Sequence, residues 1–95
     1  MNMAVKRQKI DDMRHAIGLD YKKPYHRHGK TFYKPYRNRF YTYADDSIWN
    51  QLHQDGLAER SGADEHGREW FWINRKGLDW LGNQLNITIH DEEQK

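Results

Sequence analysis

The residues best suited to chemistry lie between Tyr21 and Arg39. There Lys22, Lys23, Arg27, Lys30, Lys34, Arg37 and Arg39 are interleaved with Tyr21, Tyr25, Tyr33 and Tyr36. Ammonium and guanidinium groups neutralise phosphates, and tyrosine rings stack on bases or on cations, so the mixture suits single strands, RNA or a nucleoprotein. Lys22, Lys23, Tyr25, Arg27, Lys30, Tyr33, Lys34 and Arg39 are the candidate nucleic-acid contacts. Trp70 and Trp72 form a second candidate site. Strand side chains alternate, so if Phe71 and Ile73 face a core, both tryptophans face away from it. They then either anchor a protein partner, where Trp is enriched, or cover the stretch Phe40–Tyr43.

Catalytic and metal chemistry find little support. Of the six histidines, only His26 and His28 are close in sequence; no acid flanks them, and the chain has no cysteine. Neither a metal nor another cofactor is expected. There is no nucleophile elbow, no phosphate-cradling glycine loop and no pair of carboxylates in an apolar setting, so the expected activity is binding and not catalysis.

These residues need elements to hold them. Ile10, Met13 and Ile17, with Ala16 beside them, recur at helical spacing and predict a helix over 3–17. Gly18 reads as its left-handed stop, with Leu19 folding back on the helix. The segment 20–39 contains two Pro-Tyr steps and a central glycine, and is expected to be irregular or extended, because proline and the residue before it disfavour helix. Phe40–Tyr43 reads as a strand. Asp45 or Asp46 can cap a helix carrying Ile48, Trp49 and Leu52, which Gly56 ends. A hairpin follows, Leu57–Arg60 and Glu69–Ile73 around a polar connection. Asn74 can cap a last helix with Leu78, Leu81 and Leu85 on one face. Asn86–His90 reads as a short final strand and 91–95 as a polar tail.

With 95 residues, a single domain over 1–95 is expected, and its thirteen aromatics must build a core that a 36% apolar composition otherwise leaves thin. No apolar run approaches a membrane span and no signal peptide opens the chain, so a soluble intracellular protein is expected. The net charge of +2 conceals an asymmetry. Up to Tyr43, eleven Lys and Arg face three acids, a net of +8; the remainder carries −6. Such polarity between halves points to an anionic partner for the first.

The order helix, strand, helix, hairpin, helix is close to that of a winged helix, with one helix where a full winged helix has two between its first strand and its wing. The fold expected is α+β, a degenerate winged helix occupying 40–90, with helices around a small antiparallel sheet and a β-hairpin wing. The wording of Gly56-Leu57-Ala58, then Trp70-Phe71-x-Ile73-Asn74-x-x-Gly77-Leu78, is similar to the wing region of winged-helix regulators, with Asn74 in place of their usual Thr. The helix Asp46–Asp55 would sit where such proteins read DNA. It carries no Lys or Arg, and its acids would repel phosphates, so packing is its expected role.

More narrowly, His15-Ala16-Ile17-Gly18-Leu19, Pro35-Tyr36-Arg37-Asn38-Arg39-Phe40, Gly56-Leu57 and Asn74-x-x-Gly77 resemble the motifs of a family of small proteins encoded by bacteriophages and prophages. The resemblance implies a phage setting in the cytoplasm of a bacterial host. Because Pro-Tyr-Arg-Asn recurs there in members that need not share the flanking cations, the resemblance implies that Tyr36, Arg37 and Asn38 are structural. Two functions fit this setting. One is a nucleic acid or nucleoprotein bound by the basic aromatic segment. The other is a phage inhibitor that docks on a host or defence protein, a CRISPR component for example, through the acidic half or the Trp hairpin.

Overall fold

A computed structural model describes residues 3–92, so of the polar tail at 91–95 the last three residues lie outside the described part. The elements in chain order are α1 (Met3–Ala16), β1 (Tyr25–Arg27), β2 (Lys30–Tyr33), β3 (Phe40–Tyr43), α2 (Ser47–Gln54), β4 (Ala58–Arg60), β5 (Arg68–Ile73), α3 (Arg75–Leu85) and β6 (Thr88–Ile89). The chain is an α+β domain with three helices and two small sheets among the described residues.

Local rules set the helix boundaries. At the end of α1, Gly18 has φ +76°. There the Leu19 amide donates to the Arg14 carbonyl at 2.9 Å and the Gly18 amide to that of His15 at 3.1 Å, the paired bonds of a Schellman stop. The same pair closes α2, from Leu57 to Leu52 and from Gly56 to His53. Asp46 caps α2 by accepting from the Trp49 amide at 3.1 Å, and Asn74 caps α3 by accepting from Gly77 at 2.8 Å.

The strands of one sheet run in the order β3-β5-β4, all antiparallel. Its inner side carries Phe71 and Ile73, both buried. Trp49 of α2 lies between Phe40 and Phe71 at ring distances of 5.0 and 5.6 Å. Met13, Ile17, Leu52, Leu78 and Leu81 complete the centre. Large rings thus supply the burial that the aliphatic residues cannot, at about 150–250 Å² each. Glu69 is buried on the same strand, held by two hydrogen bonds from Arg60, Nε to Oε1 at 2.9 Å and an Nη to Oε2 at 2.7 Å, and by the Gly62 amide. These donors, Arg60 first, hold its carboxyl below the usual range.

The other sheet adds pairing that the sequence reading lacked. Within the segment 20–39, expected to be irregular or extended, β1 and β2 pair antiparallel, and β6 joins β2 in parallel, giving the order β1-β2-β6. His28 at φ 52° and Gly29 at φ 75° form the two-residue connection, both left-handed as a type I′ hairpin turn demands. Pro24 and Pro35 flank the strands and need not donate to the ladder. The single small sheet expected around the helices is therefore two sheets, one of them mixed.

Candidate functional site

Alternation along β3 and β5 turns Tyr41, Tyr43, Arg68, Trp70 and Trp72 to the solvent side of their sheet, opposite the buried Glu69, Phe71 and Ile73. Register places Tyr41 across from Trp70 and Tyr43 across from Arg68. The Tyr41 and Trp70 rings are 4.8 Å apart. The Arg39 guanidinium lies 5.7 Å from the Trp70 ring, and that of Arg68 lies 4.8 Å from Tyr43 while donating to its hydroxyl at 3.2 Å. The Tyr41 hydroxyl donates to the Asp64 carboxylate, which also accepts from the amides of His66 and Arg68. This bond raises the Tyr41 hydroxyl pKa and lowers that of Asp64, and it fixes the ring in place. Trp72 lies across from Glu59, whose carboxylate accepts from Asn74.

A cleft of about 290 Å³ opens at the edge of this face, lined by His15, Arg37, Arg39, Phe40, Tyr41 and Trp70. The helix stop at Gly18 helps to build it. A Cβ there would lie 2.5 Å from Tyr36, so the glycine seats the Tyr36 ring. Arg37 donates to the His15 carbonyl at 2.8 Å, and its guanidinium lies 5.3 Å from the Tyr21 ring and 5.6 Å from that of Tyr36. The Lys22 ammonium lies 5.9 Å from the same Tyr36 ring. His15 contacts Tyr21 and Phe40 and pairs with Asp20 at 3.0 Å. Cations and rings therefore adjoin from Lys22 through Tyr36, Arg37, Tyr21 and His15 to the cleft, and beyond it Arg39, Trp70 and Tyr41 follow, with Tyr43 and Arg68 next on the same side of the sheet. Tyr21 is 71% exposed and Trp70 43%.

The predicted contact residues separate into groups. Lys22 and Arg39 belong to this track. Tyr25, Arg27 and Lys30 share one face of the β1–β2 hairpin, Lys23 lines a different cleft with Arg14, Asp20 and Leu85, and Lys34 is exposed. Tyr33 is a correction: it is 1% exposed and its hydroxyl donates to the Ile17 carbonyl at 2.8 Å, so its ring is core and not a stacking surface. Burial pushes that hydroxyl up to about 12. Asn38 is structural, exchanging two hydrogen bonds with the backbone of Ile73. Arg37 holds His15 and also lines the cleft. Trp70 and Trp72 are exposed, but Trp70 is bound into the ring and cation track. Tyr41, Tyr43 and Arg68 were not among the predicted site residues. The alternation of Tyr41 and Tyr43 in one strand was the signal available for them.

Among the described residues, the cations Lys22, Lys23, Arg27, Lys30, Arg37 and Arg39 make no ion pair, whereas Arg60 and Arg75 of the second half pair with Glu69, Asp79 and Asp91. The Lys9 ammonium pairs across the two halves with Asp55 at 3.7 Å. In α2, Asn50 is spent on Ala44, Asp46 and Arg60. No three His, Asp or Glu side chains converge as a metal site requires among the described residues. Nor is any described helix long and apolar enough to cross a membrane. No protein-family model, curated protein or solved structure matches the chain.

Proposed function

We propose that the protein binds single-stranded nucleic acid without catalysing a reaction, along the track of cations and rings from Lys22 to Arg68. The observation that carries this reading is the pairing of cations with rings: Arg37, Arg39 and Arg68 each lie within 6 Å of an exposed ring and pair with no carboxylate among the described residues. A phosphate can take each guanidinium while a base stacks on the ring beside it. Bases in a duplex are already stacked, so exposed rings favour unpaired strands. Charge supports the same choice, because residues 21–44 contain no acid.

The finer fold reading, a degenerate winged helix from a phage setting, is part of this proposal. The succession β3, α2, β4–β5 hairpin and α3 supports it, and the lack of Lys and Arg on α2 sets it apart from helix-in-groove DNA reading. A host or defence protein is the second reading. It is favoured by Trp72, which is exposed, lies across from Glu59 and, among the described residues, has no arginine of the track over its ring.

Fluorescence anisotropy of labelled single-stranded DNA and RNA over a salt series tests the first reading. Lys22, Arg37, Arg39 and Arg68 as four phosphate contacts predict a log–log slope of about −3. If neither strand binds at low salt, the reading is wrong. A stoichiometric bacterial protein that stays bound through nuclease and high salt would favour the second reading.

A further inference from the structure

The hairpin β1–β2, with β6, carries a separate aromatic and cationic face. Alternation places Tyr25 and Arg27 on the same side of β1, and the register sets Tyr25 across from Phe32 and Arg27 across from Lys30. On that side Tyr25 stacks on Phe32 at 5.7 Å and 24°, and Phe32 stacks on His90, just beyond β6, at 5.7 Å and 8°. Three rings thus run as a ladder across the three strands. The ladder ends at Tyr25 on edge strand β1, where the residue is 45% exposed. Arg27 and Lys30 adjoin it as a like-charged pair directly opposite each other, an arrangement that destabilises a hairpin unless an anion offsets it. The strands β1, β2 and β6 contain no acid. No ring contact joins this ladder to Tyr21, Tyr41 or Trp70 among the described residues, and none of its residues lines the cleft at His15 and Arg37.

From this we infer that the β1–β2–β6 face is a second nucleic-acid site, and that one chain holds two single-stranded segments at once, bridging them. The inference rests on the proposed function of the first site. Two sites without shared residues fill independently, so two strands are brought together by one small domain, and a strand long enough to reach both binds more tightly by effective concentration.

The test uses two unstructured oligonucleotides of about six nucleotides, each sized for a single site, one labelled with a donor and the other with an acceptor. The wild-type chain is expected to produce energy transfer in a complex whose sedimentation mass contains one chain. The exposed double reversal R27E/K30E should abolish transfer while anisotropy shows the cleft site changed less than about twofold, and Tyr25→Ala should weaken transfer in the same direction. Thermal melting checks that both variants fold. Binding without transfer, transfer that survives R27E/K30E, or transfer only in a complex with two chains overturns the bridging and leaves the first site standing. An absence of any binding overturns both.

Discussion

Replacing Trp70 by Ala separates stacking from charge at the proposed first site. Trp70 sits on the central strand β5, with Tyr41 at 4.8 Å, the Arg39 guanidinium at 5.7 Å and 43% of the residue open. A base stacked on such a ring contributes about 1–3 kcal/mol, so the dissociation constant should rise about 5- to 150-fold. The fold also loses stability. The lost ring pair is worth about 0.5–1.5 kcal/mol and the covered part of the ring about 2 kcal/mol more, while Phe71 and Ile73 on the inner side remain in place. Melting should show a folded domain, destabilised by about 10–20 °C, so binding is compared well below that transition. Anisotropy over a salt series provides the decisive comparison. W70A should bind more weakly at every salt concentration with an unchanged slope, because no phosphate contact has been removed. Arg39→Ala should instead flatten the slope by about 0.7. Polyphosphate, which has charge and no bases, should bind W70A as well as it binds wild type. A folded W70A with wild-type affinity for single strands would refute the stacking argument, and so would a loss that polyphosphate shares.

The remaining predictions concern the scaffold that positions the site. Gly18→Ala forces a left-handed backbone on a residue with a Cβ and pushes Tyr36 from its seat; at about 1–2 kcal/mol for the backbone alone, the melting temperature should fall by at least about 5 °C, and binding should weaken with it. Glu69→Gln should lower stability by about 2 kcal/mol at pH 7. Arg60 depresses the Glu69 carboxyl in the folded state, so its contribution is fully present above the ordinary value of 4.5 and is lost as pH falls through the folded value. The gap between wild type and variant in thermal melts should therefore narrow below about pH 4.5; a gap that widens with acid would contradict the assignment. Tyr33→Phe removes a buried donor to Ile17 and should cost about 1 kcal/mol by denaturant titration. It should leave single-strand affinity unchanged, since the ring is not at the surface.

Much of the local structure was written in the residues themselves. The stops at Gly18 and Gly56, the caps at Asp46 and Asn74, the apolar face of α1 and the opposite orientations of Trp70 and Phe71 depend on neighbours a few positions away, which a linear reading can see. The concentration of cations and rings before Tyr43 was equally plain. Tertiary structure decided what those residues face. β2 pairs with β6 from the far end of the chain, Asn38 is tied to Ile73 at a separation of 35 residues, and Tyr33 is drawn inward to the Ile17 carbonyl just past α1, while Tyr41 of the next strand points out. Composition makes Tyr33 and Tyr41 the same residue. Which ring is buried and which stays open follows from the surfaces that meet when distant strands pair, and propensity and spacing along the chain carry no record of that meeting.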